Sequence, residues 1–147
     1  MENESYVFCV NVSVYSGQLS YGSAYRVLEV DQAKDQVRLQ GDGRRRRWFP
    51  GYCFSPTKPV RVKDVELADP CTLDFVDVHV RFDNGTQHWT TFSTPDGLNR
   101  FFERNPDEPA FSSQNLVLVK NLNPKEIEEA IRFLESSNRL SSVMQPL

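Results

Sequence analysis

Apolar and polar residues alternate in short runs over the first part of the chain and change to a helical rhythm in the second. Tyr6 to Val14 is rich in β-branched and aromatic residues, and a period of two puts Phe8, Val10, Val12 and Val14 on one face. With this run at about 6–14, further runs at 24–30, 36–40, 46–50 and 60–62 give five predicted strands. Five short strands so close together predict a small barrel. Breaks at Ser55 to Pro59 and at Ala68 to Pro70 mark a boundary.

Beyond it, Leu73 to Phe82 and Gln87 to Phe92 flank Asp83-Asn84-Gly85, a hairpin signal because both central residues of Asn-Gly accept positive φ. Thr94 caps a helix with Pro95 at its first position, Leu98, Phe101 and Phe102 follow at helical spacing, and Asn105-Pro106 ends it. Leu116 to Val119 is an apolar run of strand length, expected to be buried on both faces. Asn123, Pro124 and Glu126 open a second helix whose apolar stripe is Ile127, Ala130, Ile131 and Leu134, with Glu126, Glu128 and Glu129 on its solvated side. The order is β-β-α-β-α, with helices covering one sheet face, and Ser141 onward reads as a frayed tail.

Gly22, Tyr25 and Val27, then Asp42-Gly43 and Trp48-Phe49-Pro50 with Phe54, match a strand and turn pattern. Over residues 5–65 the chain therefore resembles SH3-like bacterial domains. Such domains share no chemistry, so the resemblance implies a fold and no catalytic residue. The second half is similar to immunity proteins of bacterial toxin and contact-inhibition systems, through Asp83, Gly85, Thr94, Pro95 and the Asn123 to Glu126 cap. That resemblance implies a toxin inhibitor. The expected organisation is a mainly β chain with α+β character: an SH3-like five-stranded barrel at 5–65 and an α+β domain at 70–140.

Composition narrows the function classes. With 39% hydrophobic and 25% charged residues the chain has a globular balance, and no apolar run reaches the roughly 20 residues of a membrane helix. Its first residues, Met1 to Ser5, lack a signal-peptide pattern, so the expectation is a soluble cytoplasmic protein with no membrane partner. Cys9, Cys53 and Cys71 lie far apart with no C-x-x-C spacing and read as free, buried thiols. Residues 1–68 hold ten Lys/Arg and eight Asp/Glu, whereas 69–147 hold seven and twelve, for a net charge of −3 overall. An acidic chain is a poor general nucleic-acid binder, and outside the arginine run there is no second basic stripe.

The arginine run is the first candidate site. If Arg44 to Arg47 continue the strand ending at Pro50, Arg44 and Arg46 share a face with Trp48, and Arg45 and Arg47 share one with Phe49. The run is then a solvated hairpin end over aromatic surface, an acidic-protein site, or an RNA site with bases stacked on Trp48, Tyr21 or Tyr52.

The histidines form the second. A two-residue Asn84-Gly85 turn pairs Asp83 with Thr86, Arg81 with His88 and His79 with Thr90, all on one polar face beside Asp77. Val78, Val80, Phe82 and Trp89 then occupy the helix-covered face. His79 and His88 would sit diagonally, about 7 to 8 Å apart, loose for zinc and short of ligands. Such a face would be a polar interaction surface with pH sensitivity near the histidine pKa.

No G-x-S-x-G, P-loop, G-x-G-x-x-G or H-E-x-x-H occurs, so no catalytic residue, metal or cofactor is expected. The reading is a non-catalytic protein-interaction module, an immunity-type inhibitor in its most concrete form. Its binding candidates are Arg44, Arg45, Arg46, Arg47, Trp48, Tyr52, His79, Arg81 and His88. An RNA-binding module using Arg44 to Trp48 and an uncharacterised hydrolase are the alternatives.

Overall fold

The computed structural model describes residues 5–68, 74–112 and 115–147. Expectations that fall on Met1 to Glu4, on Asp69-Pro70, on Cys71 and on Leu73 lie outside the described residues. The chain is α+β with strand predominating. It divides into two compact units, one running to Arg61 and including Glu135–Asn138, the other made of Val62–Leu134 and Arg139–Leu147.

In the first unit β1 (Tyr6–Cys9), β2 (Ala24–Arg26) and β6 (Phe54–Ser55) form one sheet in the order β2-β1-β6. A second sheet, in sequential order, holds β3 (Glu29–Asp31), β4 (Gln36–Gln40) and β5 (Arg46–Pro50), and a 3-10 turn at Gly51–Cys53 links β5 to β6. β4 and β5 keep the bounds that their alternation predicts.

The run at 24–30 is two strands instead of one. Val27 N–H donates to the Ser5 carbonyl at 2.8 Å and Leu28 N–H to the Arg38 carbonyl at 2.9 Å, so the backbone changes partners there. β1 stops at Cys9, well short of Val14, because Val10 and Asn11 both turn their N–H groups to the Cys53 carbonyl. The residues of β1 that turn inward are Val7 and Cys9. Val7 lies across from the buried Tyr25, Cys9 is fully buried, and Val14 is 84% exposed.

The core of this unit is Cys9, Leu19, Tyr25, Leu39, Phe49 and Cys53. Phe49 meets Tyr15 and Phe54 edge-on, with ring centroids 5.1 and 6.2 Å away. Full burial of a side chain such as Phe49 or Leu39 contributes roughly 1.5–3 kcal/mol.

No strand forms at Val60 and Arg61, which close the first unit; of the run expected at 60–62 only Val62 is in a strand, and that strand belongs to the second unit. It is β7 (Val62–Leu67), antiparallel to β8 (Phe75–Phe82), which pairs in turn with β9 (Gln87–Ser93). Next come α1 (Pro95–Arg104), β10 (Leu116–Leu118), α2 (Pro124–Ser136), α3 (Leu140–Val143) and β11 (Gln145–Pro146). The sheet order is β10-β9-β8-β7, with β11 added to β9.

Both helix starts follow the sequence signals. Thr94 Oγ1 accepts from Gly97 N–H at 3.0 Å, and Asn123 Oδ1 accepts from Glu126 N–H at 2.9 Å. Ile127 and Ile131 of the predicted stripe are fully buried against Val76, Val78, Val80 and Phe92.

Two expectations about layers fail. α1 does not join the helices on that face: its Phe101 meets Phe75, whose side chain alternates with Val76 and stands on the other side. β10 is an edge strand with Leu118 49% exposed, so its apolar run is not buried on both faces. The supposed tail is also ordered into α3 and β11, because Leu140 and Met144 reach the core.

Candidate functional site

The hairpin settles the histidine site first. Phe82 N–H donates to the Thr86 carbonyl at 2.9 Å and Gly85 N–H to the Phe82 carbonyl at 3.0 Å, leaving three residues in the loop, with Gly85 at φ 87°. A three-residue loop ending in a left-handed glycine is a standard hairpin closure, and here it displaced the two-residue turn that the Asn-Gly signal implied. The register moves by one residue, and every side chain of β9 changes face.

His88 therefore pairs with Val80, and His79 pairs with Trp89. His88 stands on the helix-covered face, edge-on to Phe82 at 5.3 Å between centroids, while Trp89 stands on the outer face. Arg81 pairs across with Gln87 and Asp64, and its guanidinium reaches the Asp64 carboxylate at 3.4 Å. The structure thus separates His79 from His88 and pairs Arg81 with Asp64, so the outer face keeps Asp77, His79, Arg81, Gln87 and Thr91 but loses His88 and gains Trp89. Asp77 is held by Thr91 Oγ1, which donates at 2.8 Å. Among the described residues no cluster of three His, Cys, Asp or Glu side chains can hold a metal ion.

The arginine run behaves differently. Strict alternation begins only at Arg46, where β5 starts: Arg46 and Trp48 point outward opposite Gln40 and Arg38, while Arg47 and Phe49 turn to the other side. Arg44 and Arg45 precede the strand, so alternation does not separate them. Arg44, Arg45 and Arg47 line one recess of about 370 Å³ with Gln18, Gly41 and Phe49. Arg46 lines a second, of about 240 Å³, with Arg26, Leu28 and Gln40. Three of the four arginines converge on one recess, contrary to the expected division into two pairs.

Local chemistry fixes this hairpin end. Asp42 accepts from Ser20 Oγ at 2.6 Å and from Tyr25 OH at 2.8 Å, and its N–H donates to the Gln18 carbonyl at 2.7 Å. Burial raises the Tyr25 phenol above its ordinary pKa, and the adjacent Asp42 carboxylate adds to the rise. A Cβ on Gly41 would stand 2.3 Å from the Gln18 carbonyl oxygen, so only glycine lets the two segments meet. The Gln18 side chain then accepts a hydrogen bond from Arg47.

Arg38 is paired with Glu29 at 2.7 Å. No ion pair is formed by Arg44, Arg45 or Arg46 among the described residues. Trp48 is 40% exposed on the outward face, directly across from Arg38. Tyr52 is exposed in the 3-10 turn with its hydroxyl 3.1 Å from Ser13 Oγ, and lines neither recess. Tyr21 directs its hydroxyl to the Val60 carbonyl at 3.3 Å.

No family model, curated protein or solved structure matches the chain.

Arg26 and Arg38 are the arginines that the linear pattern missed: Arg26 lines the second recess beside Arg46, and Arg38 stands on the outward face of the hairpin with its charge paired to Glu29. Alternation could have found them, since the inward Tyr25 and Leu39 leave their neighbours Arg26 and Arg38 outward. Of the cysteines, Cys9 and Cys53 lie among the described residues. Burial pushes the Cys53 thiol up to about 11, with a smaller rise from neighbouring Cys9, and raises the Cys9 thiol as well. Both are free and buried, the opposite of the exposed, low-pKa setting of a nucleophilic cysteine.

Proposed function

We propose that the protein is a non-catalytic interaction module that holds an acidic partner protein on the basic hairpin of its first unit. One observation carries the reading: Arg44, Arg45 and Arg46 have no ion-pair partner among the described residues and crowd one hairpin end, above recesses that also present Arg26 and Arg47. Unneutralised guanidiniums held close together repel one another, and an anionic partner relieves that repulsion while using the planar donors of arginine. Residues 5–61 carry nine Lys/Arg and four Asp/Glu, so the surrounding field has the same sign.

Support for the SH3-like resemblance comes from its motif residues. Tyr25 and Phe49 are buried in one core against Phe54, Gly22 has φ 81°, and Pro50 ends a terminal strand. The immunity-type form of the reading, in which the acidic second half meets a basic toxin, has the weaker physical support. Of the carboxylates of the second unit, Asp74 is held by Arg100 and Arg104, and Asp64 by Arg81.

A second reading, RNA, is favoured by the exposed Trp48 between Arg38 and Arg46 on one face, a platform on which a base can stack. Immobilised chain and an Arg44→Ala/Arg45→Ala/Arg46→Ala variant, compared on a nuclease-treated cell extract, separate the two. Retention of protein by the parent alone, weakening with salt, supports the protein-binding reading. Equal retention by both chains sinks it. Tight, salt-steep binding of single-stranded RNA by the parent favours the second reading.

A further inference from the structure

Where on the hairpin an acidic partner would lie is decided by the edge of β5. That strand is terminal in its sheet, hydrogen-bonded to β4 on one side and, among the described residues, to no strand on the other. Pro50 agrees with this, since a residue without N–H is tolerated on an edge and not in a central strand. Charged residues commonly guard such an edge against unwanted pairing. A guard does not require a recess on each side of the strand, however, and here both sides have one. Arg47 with Arg44 and Arg45 faces the first, Arg46 with Arg26 the second.

This placement matches the geometry of an added strand. Consecutive side chains of an extended segment point to opposite sheet faces, so two neighbouring carboxylates laid along β5 would lie beside Arg46 on one face and Arg47 on the other. The exposed Trp48 offers an apolar surface to the residue that lies on its side of the added strand.

We propose that β5 is a docking edge on which an extended acidic segment of the partner protein adds as a fourth strand beyond β3, β4 and β5. The inference rests on the protein-binding reading and goes further in specifying backbone pairing. A helical or globular acidic surface would satisfy that reading without it.

The test uses the full chain and four fluorescent nine-residue probes: a Glu/Val peptide built on adjacent Glu-Glu pairs, which present a carboxylate to each face, its two forms N-methylated at alternate residues along one edge or the other, and its Lys/Val counterpart. The N-methyl set is made in both phases, so that one phase blocks whichever edge faces β5. Binding is read by anisotropy, and β5 amide protection by hydrogen exchange. Expected are binding of the Glu/Val peptide, a loss of at least about tenfold in one N-methyl phase only, no binding of the Lys/Val peptide, and slowed exchange within Arg46–Phe49. An Arg46→Glu variant, checked for an unchanged thermal melt, should bind the Glu/Val peptide at least about tenfold more weakly. Equal binding of both N-methyl phases and the parent peptide would overturn strand addition while leaving acidic-partner recognition intact. Failure of every acidic probe, including a folded acidic protein used as control, would overturn both.

Discussion

His88 lies directly across the hairpin from Val80, one position away from Arg81. That single pairing moves Trp89 out of the helix-covered face and puts an imidazole beside Phe82 instead. Replacing Trp48 with Phe leaves Trp89 as the chain's sole tryptophan. Its emission should then be quenched by acrylamide to an extent between that of a free indole and that of a core indole. A fully shielded Trp89 would mean that β9 sits in the other register.

Gly85 carries the loop that sets this register, at φ 87° and with open space around its Cβ direction. Gly85→Ala should therefore destabilise the second unit through backbone strain alone, by about 1–2 kcal/mol in chemical denaturation. Gly85→Asn, which tolerates the left-handed region better, should recover part of the loss. Equal melts for all three chains would show that the loop does not depend on positive φ.

The contrast between what was legible and what was not follows range. Helix α1 and the start of α2 were readable because Thr94, Pro95, Asn123 and Glu126 act within one turn of the residues they cap. β4 and β5 were readable because alternation is local. The register of β8 with β9 was not, because Asn-Gly fits a two-residue or a three-residue closure and the choice is made by packing across the sheet. The end of β1 depends on the Cys53 carbonyl, far away in sequence, and the anchoring of α3 depends on Leu140 and Met144 finding a core built elsewhere. At the site, the arginines were visible as a run, but Gln18 and Arg26 join them only through the folded path of the chain.

Asp42 ties the hairpin end to Ser20 and Tyr25 through its two carboxylate oxygens. Asp42→Ala should cost about 1–2 kcal/mol in first-unit stability, at the lower end of charged hydrogen bonds because Asp42 itself is exposed. In a double-mutant cycle with Tyr25→Phe the two losses should be clearly less than additive. Full additivity would show that the Tyr25 to Asp42 hydrogen bond contributes nothing.

The Cys53 thiol is held protonated up to about 11 against an ordinary 9.0. Between those values the folded chain keeps a proton that the unfolded chain has released. The contribution is therefore complete below pH 9 and is lost as the pH rises through 11, a change on the order of 1–3 kcal/mol. Stability measured between pH 8 and 11 should fall more steeply for the parent than for Cys53→Ala, whose smaller side chain lowers the whole curve. Parallel curves would contradict the shifted thiol.

Glu126 gives the opposite pH dependence. Its carboxylate accepts from Asn121 Nδ2 at 3.0 Å and from Asn121 N–H at 3.1 Å, and these bonds, with the Asn123 cap, hold its pKa below the ordinary carboxylate value. A lowered folded pKa means that the stabilisation is present above the unfolded pKa and disappears as the pH falls through the folded one. At neutral pH Glu126→Gln should melt lower than the parent, since the amide accepts more weakly and loses the favourable charge at the helix N-terminus. Below the carboxylate range the two melts should converge, because the parent side chain is then neutral as well. The sequence had already marked Glu126 as a capping residue; the folded chain adds that its acceptor oxygens go to Asn121, two residues before the cap. Asn121→Ala should consequently reproduce most of the Glu126→Gln loss at neutral pH, and a full-sized additional loss in the double variant would show that the two side chains act independently.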